Sequence, residues 1–345
     1  MYKRQRHYVY WKTDNIEVPE WDRQSLLARL KPFEPEKNTE LDPEMRAYCR
    51  FYGLDIWEDQ PGVDYRQGYV GIDEHEVMVH YFRHPEGARV KATVFILHGY
   101  FDHVGLYARL IDHCLAAGYD VLTYDQPGHG LSSGTPAAIG SFLEYQAVLS
   151  GVMAKAKGKV RGPWVAVGQS TGGAVLIDYL LSNHHDRKTS AFKKVVLLAP
   201  LIRPAGWLRA KALHSVMKPF LKRWRRVFAE NSGDLRFLSF LREHDPLQAR
   251  AVHVDWVTAL RRWVPHIESS RPVDFPVTVV QGEQDLTVDW RHNLRIIRNK
   301  FAGVRTYRLP EGRHHLVNEA GPLQSKVFQA VIETFSEISS TGDGQ

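Results

Sequence analysis

At 345 residues, with 43% hydrophobic and 24% charged residues, the chain has an ordinary globular composition and room for one large domain with an insertion, or for two small domains. Its longest apolar runs, 195–204 and 277–280, fall far short of the roughly 20 residues that span a bilayer, so no transmembrane helix is expected. The net charge of +6 comes without a nucleic-acid-binding motif, and two cysteines, Cys49 and Cys114, offer neither a disulfide framework nor metal-ligand spacing; no nucleic acid partner is expected, and both thiols read as buried or incidental.

Residues 1–10 are basic and aromatic, but no uncharged core or small-residue cleavage site follows, so a cytoplasmic location is expected. Residues 1–64 are polar and proline-dotted and read as an N-terminal extension, with helices predicted over 21–30 and 43–52. Two β-rich runs, 69–72 and 77–82, flank a polar turn and predict a hairpin. Short apolar runs then alternate with helix-length amphipathic segments, the pattern of an α/β protein with a mostly parallel central sheet and crossover helices. The predicted strands are 92–97, 119–124, 164–167, 194–198, 277–281 and 305–309. Between the fourth and fifth, residues 201–271 carry helical patterns and no strand run; they read as a helical cap over the sheet's C-terminal edge, where open α/β sheets bind ligands. The core is thus assigned to 65–200 and 272–340.

The strand at 164–167 runs into Gly168-Gln169-Ser170-Thr171-Gly172-Gly173, and a helical stretch follows over 174–181. A serine between glycines on a tight strand-to-helix turn is held in a strained conformation, with the helix N-terminus beneath the reacting carbonyl. Taken alone, this pentapeptide also fits a connecting Gly-rich turn. A serine hydroxyl is a poor nucleophile at neutral pH; a histidine must accept its proton and a carboxylate must orient that histidine. The loop after 277–281, Gly282-Glu283-Gln284-Asp285, supplies Asp285 as the acid, with Glu283 and Asp289 as alternatives. One strand later, Gly312-Arg313-His314-His315 offers His314 or His315 as the base, giving the chain order serine, acid, histidine. The oxyanion requires two backbone donors, assigned to Thr171 after the serine and Tyr100 after His98-Gly99.

Together the segments 98–107 (HGYFDHVGLY), 124–134 (YDQPGHGLSSG), 168–173 (GQSTGG), 282–285 (GEQD) and 312–319 (GRHHLVNE) resemble the monoacylglycerol lipase and lysophospholipase group of the serine aminopeptidase-like α/β-hydrolases, over 69–336. The resemblance implies the α/β-hydrolase fold, a serine triad without cofactor or metal, and a helical cap shaping an acyl pocket. The family spacing of histidine to a glutamate five residues on is met by His314 and Glu319, which selects His314 over His315; His129 becomes a structural loop residue. Phe101, Asp102 and His103, beside the oxyanion loop, are expected to line the pocket. The chain departs from the family pattern at Tyr100 and Phe101, where small residues are usual, at Gln126-Pro127, where a basic residue is usual, and in its extension.

The expectation is a serine hydrolase of lipid-like carboxylic esters, such as monoacylglycerols or lysophospholipids. A peptidase or amidase uses the same triad, and a non-catalytic binding module shares the fold, though it usually lacks a triad member. Epoxide hydrolases and haloalkane dehalogenases require an aspartate where Ser170 stands. Residues 203–226 hold seven Lys and Arg beyond Arg203 and no acid, interleaved with Trp207, Leu208, Leu213, Val216, Met217, Phe220, Leu221 and Trp224. The plain reading is a cap helix that buries its apolar side and solvates its charges; the alternative is peripheral docking on an anionic membrane.

Overall fold

Runs of Val, Ile, Leu and Phe with every side chain buried, as in Thr93–Leu97 and Asp120–Tyr124, belong to strands covered on both faces. The computed structural model describes residues 19–37 and 40–338, and places these runs in a sheet of eight strands. The basic N-terminal residues 1–10 lie outside the described residues. In chain order the strands are β1 (Asp64–Ile72), β2 (His75–Arg83), β3 (Thr93–Leu97), β4 (Asp120–Tyr124), β5 (Trp164–Gln169), β6 (Phe192–Leu198), β9 (Val277–Gly282) and β10 (Arg305–Leu309), with two short strands outside the sheet completing the numbering below. Their spatial order is β1-β2-β4-β3-β5-β6-β9-β10. The hairpin β1–β2 and the β2–β4 pair are antiparallel, and all remaining pairs are parallel.

Because β3, β4, β5, β6, β9 and β10 run in one direction, their C-terminal loops emerge at one edge. The register aligns them: Leu97 lies opposite Gly168, Gln169 opposite Leu198, Leu198 opposite Val280, and Gly282 opposite Leu309. The crossover helices α3 (Ala108–Ala116), α4 (Phe142–Ala156), α5 (Thr171–Ser182), α9 (Trp290–Lys300) and the terminal α10 (Gly321–Ser336) cover the two faces, each with its own apolar cluster. Ser141 and Asp289 cap α4 and α9 through their side chains, satisfying N–H groups the first turn leaves free.

The extension is more deeply built in than its polar sequence suggests. Asp22 caps α1 (Arg23–Arg29), and Asp42 caps α2 (Pro43–Tyr52), which ends on Gly53 at φ 71°. Met45, Tyr48, Cys49 and Tyr52 are fully buried and join the same apolar cluster as strands β2 and β3. Cys49 and Cys114 are both buried free thiols.

Residues 201–271 hold α6 (Trp207–Met217), α7 (Leu235–Ser239) and α8 (Val254–Ser269), but also an antiparallel ribbon of β7 (Arg223–Arg225) and β8 (Ala251–His253). The expectation that this segment lacks strands is therefore corrected. Three-residue strands are too short to show alternation in sequence, and Lys222 to Arg226 read there as the continuation of a basic helix. No described helix is long and apolar enough to cross a membrane.

Candidate active site

Ser170 sits between β5 and α5 at φ 51° and ψ −109°, a region that costs a non-glycine residue about 1–3 kcal/mol and persists only where its surroundings enforce it. The enforcement is visible. Its N–H donates to the Leu198 carbonyl at 2.8 Å, and its own carbonyl accepts from Leu201 at 3.0 Å and from Ala174 at 3.0 Å. The flanking glycines let helix and strands close in: a Cβ on Gly172 would overlap the Leu97 carbonyl, and one on Gly168 would overlap the Gly172 backbone.

The Ser170 hydroxyl lies 2.9 Å from His314 Nε2, and His314 Nδ1 lies 2.8 Å from Asp285 Oδ2. With the Nδ1 proton directed at the carboxylate, Nε2 is left as the acceptor for the serine. Asp285 also accepts from the Thr287 and Val288 N–H groups at 2.8 and 3.1 Å, and from the Gln281 side chain at 3.1 Å. Burial works against its charge, but His314 and these donors outweigh it and hold the carboxyl below its ordinary range. The two alternative acids are engaged elsewhere: Glu283 pairs with Arg308 at 2.7 Å, and Asp289 accepts from the His292 N–H at the start of α9. His315 turns away from the serine, its Nε2 3.2 Å from Asp102 Oδ1.

Several groups fix the histidine loop. Glu319 accepts from Arg313 N–H at 2.6 Å and from Gly233 N–H at 2.7 Å, tying the loop to the 201–271 segment. The Asn231 carbonyl accepts from both His314 and His315 N–H groups, at 3.0 and 2.7 Å, and Gln169 donates to the His314 carbonyl at 2.9 Å. None of these contacts was foreseen; Glu319 entered the sequence reading only through its spacing from His314. A backbone acceptor such as Asn231 has no sequence signature, whereas Gln169 stood inside the serine motif.

The loop after β3 is anchored by His98. Its Nδ1 donates to the Gly99 carbonyl at 2.8 Å and its Nε2 accepts from the Gln126 N–H at 2.8 Å, while the Gln126 amide returns a bond to the His98 carbonyl. Burial, with His129 nearby, pushes this imidazole down to about 3, so it stays neutral. Gln126, a departure from the family pattern, is thus the complement of His98. His129 pairs with the Pro127 carbonyl at 2.8 Å, and no hydrogen bond joins it to Ser170 among the described residues. Asp102 accepts from the Gly99 N–H and the Tyr107 hydroxyl, which pins the Gly99-Tyr100 turn against Ser170. Tyr100 donates to the Ala137 carbonyl at 2.7 Å and stacks on Trp256 with ring centroids 3.9 Å apart.

A cavity of about 230 Å³ opens over Ser170 and His314. Tyr100, Thr171, Phe101 and Asp102 line it, together with apolar Leu201, Leu241, Trp256 and Val288. His103 does not line it, which corrects the expectation that it would. It is fully buried behind the loop, its Nε2 3.0 Å from Asp245, because a neighbouring carboxylate from the 201–271 segment competes for the ring. Trp256, not singled out in the sequence, and Arg226, noted there only within the basic run of 203–226, are cavity residues contributed by that segment.

A serine held on a strained strand-to-helix turn at the C-terminal edge of a mostly parallel eight-stranded sheet, facing a carboxylate from the loop after β9 and a histidine from the loop after β10, defines the class of α/β-hydrolases. Residues 88–321 match the family model of the serine aminopeptidases, S33, and the chain belongs to that family. It is 26% identical over 251 residues to phospholipase YtpA of Bacillus subtilis, covering 70% of this chain and 94% of that protein. It is likewise 26% identical over 290 residues to the monoglyceride lipase of Mus musculus, covering 80% and 92%. Among solved structures, a soluble variant of monoglyceride lipase from Saccharomyces cerevisiae in complex with a substrate analogue superposes with a TM-score of 0.66 at 19% identity, over 79% of this chain and 94% of that one. The chain is a lipase- or esterase-like α/β-hydrolase.

Proposed function

We propose that the protein hydrolyses carboxylic esters with lipid-like acyl chains, monoacylglycerols or lysophospholipids, through an acyl-enzyme on Ser170. The observation that carries this reading is the hydrogen-bonded chain Ser170–His314–Asp285 at 2.9 and 2.8 Å beneath an apolar-walled cavity. Ser170 Oγ attacks the ester carbonyl while His314 Nε2 takes its proton, and the same nitrogen then gives that proton to the leaving alkoxide. Water, deprotonated by His314, releases the acid and restores the serine. Asp285 stays ionised and stabilises the imidazolium. The N–H groups of Tyr100 and Thr171 receive the oxyanion.

Residues 201–271 act in this reading as the cap, since they contribute Leu241, Trp256 and the clamp from Asn231 to the site. The cap also supports peripheral docking on an anionic membrane. In α6 only Trp207 and His214 are buried, while Leu208 is 75% exposed, Phe220 beyond it 80% and Val227 88%, among Arg209, Lys211, Lys218 and Lys222. An ordinary cap helix would hide those apolar side chains. Co-sedimentation with phosphatidylglycerol vesicles, exceeding that with neutral vesicles and lost in Phe220→Glu, is the expected result; equal partition to both vesicle types refutes docking through charge.

The activity is tested by a fluorophosphonate probe with mass mapping, beside p-nitrophenyl esters of increasing chain length. Labelling on Ser170 and a chain-length optimum are expected; folded protein that takes no label overturns the reading. The family's peptidase name is the ground for a second reading, amide hydrolysis, which an aryl ester and its matching anilide discriminate.

A further inference from the structure

Among the described residues, no acid is bonded to the Arg226 side chain. Arg226 follows β7, its N–H bonded to the Arg250 carbonyl at 2.9 Å, and its side chain reaches the cavity that holds Ser170. The guanidinium carbon lies 3.9 Å from the centre of the Phe101 ring and 4.4 Å from that of Phe228, so aromatic faces rather than a carboxylate hold it. Nη1 donates to the Gln248 side chain at 2.7 Å and to the Ala249 carbonyl at 3.3 Å. Among the described residues no acceptor is bonded to Nε or Nη2, and no carboxylate forms an ion pair with the group.

The two nearby acids are already engaged. Asp102 serves the Gly99 N–H, the Tyr107 hydroxyl and His315, and Asp245 serves Tyr52, His103, Leu247 and Gln248. Burial pushes the guanidinium down to about 10, which leaves it charged at neutral pH. A cation kept in an apolar-walled site with no carboxylate bonded to it is costly, and an arriving oxyanion offsets that cost. The Nε–Nη2 edge of a guanidinium is the fork that takes a phosphate or carboxylate by two parallel bonds. Its location matters too: Phe101, on which it stacks, has φ 69° and directly follows Tyr100, so the charge stands beside the loop that faces the reacting carbonyl.

We propose that Arg226 forms a subsite for an oxyanion carried by the substrate close to its ester bond, a phosphate or carboxylate on the glycerol portion, so that the site prefers anionic monoacyl glycerol esters over neutral ones. This rests on the ester-hydrolase reading and gives its substrate a charge.

The test compares kcat/KM for three water-soluble esters with one acyl chain: glycerol monobutyrate, its 3-phosphate, and 3-O-butyrylglycerate. High salt screens the exposed cap charges and leaves the enclosed site. The wild type is expected to favour at least one anionic ester by about tenfold, and Arg226→Gln to bring that ratio near one, as loss of a charge-assisted pair does. Arg226→Lys, which keeps the charge and loses the fork, retains part of the ratio and carries the test where the glutamine variant does not fold. The phosphate and carboxylate arms identify which oxyanion fits. A wild-type ratio of one, or an unaltered ratio in Arg226→Gln, overturns the subsite. Calorimetric binding of the same esters to Ser170→Ala reads anion preference without turnover. Preferential binding there, with no ester cleaved by the wild type, would sink the hydrolase reading and leave the subsite standing.

Discussion

At the scale of single residues, the two adjacent histidines give the sharpest discrimination. His314 faces Ser170 and Asp285, whereas His315 pairs with Asp102. Ser170→Ala and His314→Ala are expected to lower kcat for an aryl ester by about 10,000-fold or more, by loss of nucleophile or base. His315→Gln should fall far less, since it disturbs only the support of the Gly99 turn; comparable losses in both histidine variants would overturn the assignment. Asp285, held below its ordinary carboxylate range, contributes stability above about pH 4 that disappears as pH falls through its lowered value. The choice between the histidines needed the glutamate five residues on, and in the structure Glu319 does clamp the loop. Arg226 shows the opposite case. It was one of seven basic residues in a run, and nothing in the spacing separates it from its neighbours; only the approach of Phe101, distant in sequence, makes it a cavity residue.

At the scale of elements, the strand–turn–helix around Ser170 works because β3, β5 and α5 touch backbone to backbone. Gly172→Ala would drive a methyl group into the Leu97 carbonyl, an atom of the central strand that has no rotamer to escape into. A loss of about 3 kcal/mol or more is expected, readable as a lowered denaturation midpoint. Gly71→Ala, with open space around its Cβ position, is the control. Strong periodicity and caps made these elements legible: Pro43–Tyr52 and Arg305–Leu309 lie where the sequence placed them. Elsewhere strand ends moved by one or two residues, and the start of β1 by five, since hydrogen bonding to a neighbour, not hydrophobicity, ends a strand. The ribbon β7–β8 was illegible for the same reason, because its strands exist only through pairing 26 or more residues apart.

At the scale of the whole molecule, His103 and Asp245 join three parts of the chain. Asp245 comes from the 201–271 segment, His103 from the loop after β3, and Tyr52 of the extension donates to Asp245 at 2.7 Å. Burial opposes the charge on His103, but the Asp245 carboxylate outweighs it and holds the imidazole above its ordinary value. Burial likewise opposes the charge on Asp245, and His103 with its other donors holds it below. The pair therefore stabilises most between roughly pH 4 and 6.5, and the His103 share fades as pH rises through its raised value. His103→Gln is expected to cost about 3 kcal/mol at pH 6, with the gap in melting temperature to the wild type narrowing toward pH 9; a gap that widens with pH would contradict the sign.

The sequence by itself determined the class of fold, the serine turn, and the order of serine, acid and histidine along the chain, because hydrophobic period and glycine-bounded turns are local properties that each segment carries alone. Only the tertiary structure decided that the extension is part of the core, that His103 belongs to Asp245, and that an arginine held between aromatic rings meets the serine's cavity. Those outcomes depend on which side chains from remote segments compete for the same few ångströms, and no local pattern encodes that competition.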